Sequence, residues 1–269
     1  NQTLLNGLEK HEGKSDLSVD WQVTNLSSDE GWDEAMAGCD YVLHVASPIA
    51  MQLPKDEDEM VKPAVEGTLR VLKAASKAGV KRVVVTSSVA AIMYGTDKEG
   101  IFNEEDWTDP KSKTTNVYAK SKTLAEKAAW EFIEKDNSGM ELSTVLPAMV
   151  FGPILEEDFG VSVGAILDMM NGKYPIVPNW DMGVVDVRDV ASLELLAMTK
   201  PEAAGKRFVC SAENMFMKDQ NEYLSELFPE SASKIPKRVA PNWLIKFLAL
   251  FLPALKMIAE GLGKERSMD

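Results

Sequence analysis

Apolar positions along this chain switch between two periods, and the switches divide it into strands and helices. Short apolar runs at 17–23, 41–46, 81–86 and 141–146 have strand length, and Pro48 and Pro147 stand at the ends of the second and fourth. Between them, 59–77 carries Ala64, Val65, Leu69, Leu72 and Ala75 at helical spacing, with Gly79 as a stop. Pro63 suits a first turn if that helix starts a little later than Glu59. Residues 117–135 predict a second long helix through Leu124, Ala128 and Ile133, and Ser27 to Glu30 has capping-box spacing for a short helix through Trp32 and Met36. Beyond residue 150 the rhythm loosens. A helix is expected at 161–170, strands at 184–187 and 207–210, a helix at 188–198 between them, and a largely helical, apolar remainder.

This alternation predicts an α/β fold: a doubly wound parallel sheet of Rossmann type. The sheet domain is expected at 1–150, with 184–200 packing back onto it, and a smaller substrate-covering part at 151–269.

Composition narrows the function. The 269 residues carry a net charge of −13, which argues against nucleic acid and anionic membrane as main partners. Cys39 and Cys210 are isolated and lack metal-ligand spacing, as expected of small buried thiols in a reducing, cytoplasmic compartment. His11 and His44 are the only histidines, so a zinc site or a His-based nucleophilic triad is not expected, and His44 falls inside a strand run. The longest apolar stretch, 243–259, is interrupted by Lys246, Pro253 and Lys256 and predicts paired amphipathic helices rather than a membrane span.

The chemistry is concentrated on one helix and one strand end. Tyr118 and Lys122 stand at i and i+4 and share a helix face. A lysine beside a tyrosine favours phenolate and is expected to lower the phenol pKa, as a proton donor near neutral pH requires. Thr86-Ser87-Ser88 closes a buried strand upstream, and α/β sheets bind ligands at carboxyl ends of strands. A hydroxyl there, with the tyrosine, could grip a carbonyl oxygen. The same spacing recurs as Tyr94 and Lys98, but Gly95, Asp97 and Gly100 make that copy a loop.

The segments GCDYVLHVASP (38–48), VVTSSVAA (84–91), YAKSKTLAE (118–126), LPAMVFGP (146–153) and DVRDVA (186–191) resemble, in order and spacing, the extended short-chain dehydrogenases/reductases. The similar branch is that of dihydroflavonol 4-reductase, cinnamoyl-CoA reductase and aldehyde or ketone reductases. The resemblance implies NAD(P)H-dependent reduction of an aldehyde or ketone, with NADP(H) favoured over NAD(H). It implies Ser88 as the carbonyl-binding serine, Ser87 being the competing choice, with Tyr118 as proton donor and Lys122 as its partner. It further implies cofactor contacts at Asn25, Leu26, Val45, Ala46, Ser47, Thr86, Tyr118, Lys122, Pro147, Ala148, Met149 and Val150, and no metal. The substrate is expected to be a small, apolar carbonyl compound, because Met93 stands where flavonoid reductases place an asparagine; Ile49, Met51, Met149 and Phe151 could add to an apolar pocket. Arg70 replaces an asparagine of many relatives and puts an Asn-water proton relay in doubt. The expected protein is a monomer or homodimer.

No G-x-G-x-x-G loop occurs, and the chain starts at Asn1. An N-terminally incomplete sheet is therefore expected, and the resemblance implies a β-α-β piece of roughly forty residues before Asn1 and a shorter stretch after Asp269. Three other readings stay open: a sugar-nucleotide epimerase or dehydratase, a non-catalytic nucleotide-binding protein, and an inactive fragment.

Overall fold

The structure is a computed structural model that describes residues 19–48, 54, 56–155, 160–256 and 258–269. Its centre is a four-stranded sheet in the order β1-β2-β4-β7 with every pairing parallel: β1 Tyr41–His44, β2 Arg82–Thr86, β4 Glu141–Pro147 and β7 Arg207–Cys210. Parallel neighbours need long crossovers, and helices supply them. After α1 (Trp32–Met36) and β1 comes α2 (Asp58–Ala78), and α3 (Val117–Lys135) links β2 to β4. Because side chains alternate across a strand, the valines of β2 serve two cores. Val83 and Val85 pack with Val71, Leu72 and Ala75 of α2 and Ala129 of α3. Val84 packs with Val145, Cys210 and with Val190 and Ala197 of a later helix, α5 (Val187–Thr199). The sheet is thus parallel and covered by helices on both faces, the doubly wound arrangement that the alternation predicts. β7 comes from beyond residue 150 and 184–200, so the sheet draws on both sides of that expected boundary.

The long elements coincide with the pattern, and the differences lie at ends and in short pieces. α2 starts at Asp58, ahead of the expected start, which makes Pro63 an interior residue. Pro63 cannot donate to the Glu59 carbonyl, but Glu59 is exposed and water can satisfy it. α1 starts at Trp32 behind Gly31 and has no side-chain cap. The expected capping box is replaced by a turn: Asn25 Oδ1 accepts from the Ser27 amide at 2.8 Å, and the Trp32 indole donates to the Ser28 carbonyl at 2.9 Å. Gly31 has φ 80°, and a Cβ there would lie 2.9 Å from the Val23 carbonyl oxygen. In the expected first strand at 17–23, residues 19–23 are irregular and 17–18 lie outside the described residues. Val23 is 94% exposed, and no described strand runs beside it.

Beyond β4, a second sheet has the order β5-β6-β8: β5 Met149–Phe151, β6 Asp181–Asp186 and β8 Glu213–Phe216. β3 (Gly100–Phe102) pairs in parallel with β9 (Arg266–Met268), which brings the last residues of the chain back to the body. The expected strand at 184–187 therefore begins earlier, and Val187 opens α5 because the Asp186 carboxylate accepts from the Arg188 amide at 2.8 Å. α4 is Val161–Met170 and α6 is Met217–Leu227. Within 243–259, α7 (Asn242–Leu248) and α8 (Pro253–Lys256) are short helices, and α7 buries Ile245 against Ala240 and Leu262 while Trp243 and Phe247 stay exposed. Met257 lies outside the described residues. Among the described residues, no helix is long and apolar enough to cross a membrane, and no cluster of His, Cys, Asp or Glu is arranged to hold a metal.

Candidate active site

β2 and α3 bring the chemistry together at the carboxyl edge of the main sheet. β2 ends at Thr86, and Ser88 follows in extended backbone as the N-cap of a 3₁₀ turn, accepting from the Ala90 amide at 3.2 Å. α3 begins one residue before Tyr118, capped by Asn116, whose side chain accepts from the Ala119 amide at 2.9 Å. That cap fixes where the first turn points, and the Tyr118 hydroxyl reaches a hydrogen bond with the Ser88 hydroxyl. One turn later the buried Lys122 donates from Nζ to the Thr86 carbonyl at 3.2 Å.

The two adjacent serines go different ways. Ser87 donates to Oε2 of Glu126 at 2.6 Å, whereas Ser88 meets Tyr118. Glu126 is fully buried and also accepts from Thr144 at 2.9 Å and from Arg207 Nε at 2.7 Å. Tyr118, Lys122 and Glu126 fall at successive i+4 positions on one stripe of α3. Thr86 is held from below, because its hydroxyl donates to the buried Glu194 at 2.5 Å.

Electrostatics differ from the expectation in one respect. Burial pushes the Tyr118 phenol up, and only its hydrogen bond with Ser88 acts in the other direction. Lys122 does not lower it here, because its ammonium is turned to the Thr86 carbonyl. Lys122 itself is pulled down to about 8 by burial, against the opposing attraction of Glu126. His44 is buried in β1, 3.4 Å from the Thr68 hydroxyl, and is held at about 4 by burial and then by the Lys122 charge.

The His44 shift has a consequence for stability. Between about 4 and 6.5 the unfolded chain binds a proton that the folded chain does not, so stability falls as pH falls through that window and the benefit is complete above it. His44→Gln is expected to flatten the acid dependence by up to about 3 kcal/mol. Chemical denaturation of both proteins above pH 6.5 and near the folded value checks this, and parallel pH curves contradict it.

Ser88, Tyr118 and Lys122 all line one cavity of about 370 Å³. Of the residues with an expected cofactor contact, Val45, Ser47, Thr86, Pro147, Ala148, Met149 and Val150 line it with them. Ala46 borders instead a smaller neighbouring cavity shared with Ser47, Thr86 and Lys122. Asn25 and Leu26 are not brought to either cavity. Asn25 is in the exposed turn before α1, and Leu26 packs into the core near α2, where a Cβ on Gly67 would lie 3.0 Å from its own. Met93 lines the large cavity and Phe151 does not, and Ile49 and Met51 lie outside the described residues. Arg70 donates to the Leu26 carbonyl at 2.8 Å and pairs with Asp29, away from both cavities.

The structure adds residues that the pattern missed. Met182, Trp180 and Asp181 arrive with β6, Met268 with β9, and Ile258 after α8. Tyr94, the residue of the loop copy, is a buried wall residue hydrogen-bonded to Asn116, and burial pushes its phenol up to about 12. Lys98 of that copy is elsewhere, paired with Asp106 at 2.5 Å, so the two do not share a face. Asn116 could have been found as a cap immediately before an apolar helix. The β6 and β9 residues carry no local signal.

Comparison with known proteins places this geometry in a family. The model described as "3-beta hydroxysteroid dehydrogenase/isomerase family" matches residues 6–228. Cinnamoyl-CoA reductase 1 of Petunia hybrida is 40% identical over 201 residues, which is 73% of this chain and 58% of that protein. An anthocyanidin reductase ((2S)-flavan-3-ol-forming) of Vitis vinifera is 34% identical over 222 residues, 77% of this chain and 65% of that protein. The chain thus spans about three fifths to two thirds of the length of these curated relatives. Among solved structures, yeast methylglyoxal/isovaleraldehyde reductase Gre2 complexed with NADPH superposes with a TM-score of 0.76 at 29% identity, covering 100% of this chain and 80% of that one. Gre2 of Candida albicans in complex with NADPH gives 0.70 at 30% identity, covering 91% and 74%.

Proposed function

We propose that this chain, which belongs to the 3-beta hydroxysteroid dehydrogenase/isomerase family, reduces an aldehyde or ketone to an alcohol with NADPH as hydride donor. The observation that carries the reading is the convergence of the Ser88–Tyr118 hydrogen bond and the buried Lys122 on one cavity. Relatives named as reductases, and the NADPH named with both Gre2 structures, support it.

The wall suits a nicotinamide cofactor. Val45, Pro147, Ala148 and Val150 offer apolar surface to a pyridine ring, and Lys122 offers N–H donors to ribose hydroxyls. When bound, the cofactor supplies the hydride. The protein's own groups manage the oxygen. The Ser88 and Tyr118 hydroxyls converge where a carbonyl oxygen would accept from both, which stabilises the negative charge that grows as the carbon is reduced. Tyr118 gives up its proton to that oxygen. Its raised pKa keeps the phenol protonated until charge develops. The Ser88 hydroxyl, the one group that opposes the burial of the phenol, can donate to the phenolate that remains, while the Lys122 ammonium is directed to the Thr86 carbonyl.

Much of the remaining cavity wall is apolar and deformable, with Asn116, Ser162 and Asp181 among its polar members. Met93, Met149, Met182 and Met268 stand there with Trp180 and Ile258. Thioether side chains repack around varied apolar groups and reward few polar contacts. The proposed substrates are therefore small or medium apolar carbonyl compounds rather than polyhydroxylated rings. With NADPH, aliphatic and aryl-aliphatic aldehydes should be consumed faster than polyhydroxylated aromatic ketones, as read by loss of NADPH absorbance and product chromatography. No consumption of any carbonyl by the folded protein would overturn the reading.

A further inference from the structure

Charge is spread unevenly along the chain. The stretch from Ser231 to Ala259 holds Lys234, Lys237, Arg238, Lys246 and Lys256 and no Asp or Glu, although the whole chain carries −13. All five basic residues are exposed, and among the described residues none of them pairs with a carboxylate. The same stretch exposes large apolar side chains. Trp243, Leu250 and Phe251 are 69, 69 and 68% exposed, and Phe247 is exposed with them. These four stand at i, i+4, i+7 and i+8, which is one helix face. α7 ends at Leu248, but the helical turn carries on, since the Leu252 amide donates to the Leu248 carbonyl at 2.8 Å. The Phe247 and Phe251 rings meet edge to face at 5.5 Å. The opposite side of the same turns buries Ile245 and Ala249. A helix that is apolar all round is normally covered all round, and among the described residues nothing covers this outer face.

We propose that this outer face of α7 and the turn after it lies on a lipid bilayer that displays anionic headgroups. Trp243, Phe247, Leu250 and Phe251 enter the boundary between headgroups and acyl chains, where aromatic rings are favoured. Lys246 stands among them and can bury its stem while its ammonium reaches a phosphate. Lys237 and Arg238 lie just before α7 and Lys256 just after it, so the apolar face has cations at both ends. The contact is peripheral, because α7 has seven residues and a membrane span needs about twenty. Net charge argues against an anionic membrane for the chain as a whole. This stretch is the exception, and the acidic remainder helps by turning the basic face towards the lipid. A two-fold dimer through the same face is disfavoured, since it would set these cations against their own copies. The face also has an inner side that bears on the chemistry. Ile245 packs with Trp180 and Ile258, which line the large cavity. The docked layer is therefore the outside of the cavity's apolar wall. Its purpose rests on the reductase reading, because apolar carbonyl compounds gather in lipid; the docking itself does not.

The test is co-sedimentation of the full chain with vesicles of phosphatidylcholine alone or of phosphatidylcholine mixed with phosphatidylserine. Binding to the mixed vesicles should exceed binding to the neutral ones roughly tenfold, and raised salt should remove most of the difference. Trp243→Gln with Phe251→Gln should lower binding to mixed vesicles at least about tenfold, and Lys246→Glu should lower it severalfold. These side chains are exposed, so both variants should keep the circular dichroism of the unmodified protein. If a variant does not fold, the unmodified protein decides: quenching of its tryptophan fluorescence by brominated lipid in mixed vesicles supports the docking, and no quenching overturns it. Absence of binding to mixed vesicles overturns the proposal, as does equal binding to neutral ones. A concentration-dependent dimer that Trp243→Gln dissolves, in a protein that binds no vesicle, overturns it in favour of a second copy of the chain. Vesicle binding by a protein that reduces no carbonyl would refute the reductase reading and leave the lipid contact standing.

Discussion

Replacing Tyr118 with phenylalanine should lower kcat/KM for carbonyl reduction by roughly 10²–10⁴-fold, the range for a positioned proton donor. The substitution removes one hydroxyl and keeps the ring, so the half-buried packing against Ala119 and Leu146 persists. What is lost is the proposed proton source and the partner of Ser88. Binding of NADPH, followed by fluorescence, should change little, because the cofactor wall of Val45, Pro147, Ala148 and Val150 is untouched. A variant that keeps reduction within twofold of the unmodified protein would remove Tyr118 from the chemistry.

Replacing Glu126 with alanine should lower folding stability by about 3–5 kcal/mol, the cost of stranding one half of a buried ion pair. Arg207 is 9% exposed at its side chain and Glu126 is 0% exposed. The guanidinium is wedged over the Trp107 ring at 3.6 Å and donates to the Asp106 carbonyl at 2.8 Å, so it cannot swing out to water without breaking that packing. Ser87 and Thr144 lose their acceptor at the same time. Removing both charges, as Glu126→Leu with Arg207→Met, should recover part of the loss, since an uncompensated buried charge costs more than an absent pair. Chemical denaturation of the three variants measures this, and a loss below about 1 kcal/mol for Glu126→Ala would show that water reaches the site. The effect is also functional. Without Glu126 the Ser87 hydroxyl is free to rotate, and Lys122 loses the neighbour that opposes its burial.

The parts of the fold legible in the sequence are those with enough residues to show a period. α3 offers five turns, and its expected bounds of 117–135 coincide with Val117–Lys135. The valine run of β2 is unambiguous, because a strand buried on both faces is apolar at every position. β3, β5 and β9 have three residues each, too few to display alternation, and their pairing partners are distant in the chain. Ser88, Tyr118 and Lys122 were legible because a helix face and a strand end are local features, and the fold brings them to one cavity. The resemblance favoured Ser88 over Ser87, but the residues alone could not separate adjacent identical hydroxyls, which differ only in what lies opposite, and Glu126 is thirty-nine residues from Ser87. Asn25 and Leu26 lie outside both cavities, in an exposed turn and against the α2 core, so their expected cofactor contact rests on the resemblance alone. The effect expected of Lys122 on the phenol is not met. Spacing fixes which residues are neighbours, but burial and the Thr86 carbonyl decide where the ammonium points.

Hydride transfer is tested most directly with NADPH deuterated at the transferring carbon of the nicotinamide and an apolar aldehyde. The expected product is an alcohol carrying one deuterium on the former carbonyl carbon, formed by the unmodified protein and lost, in the main, with Tyr118→Phe. An unlabelled alcohol, or labelled alcohol formed equally well by both proteins, would contradict the role assigned to Ser88, Tyr118 and Lys122.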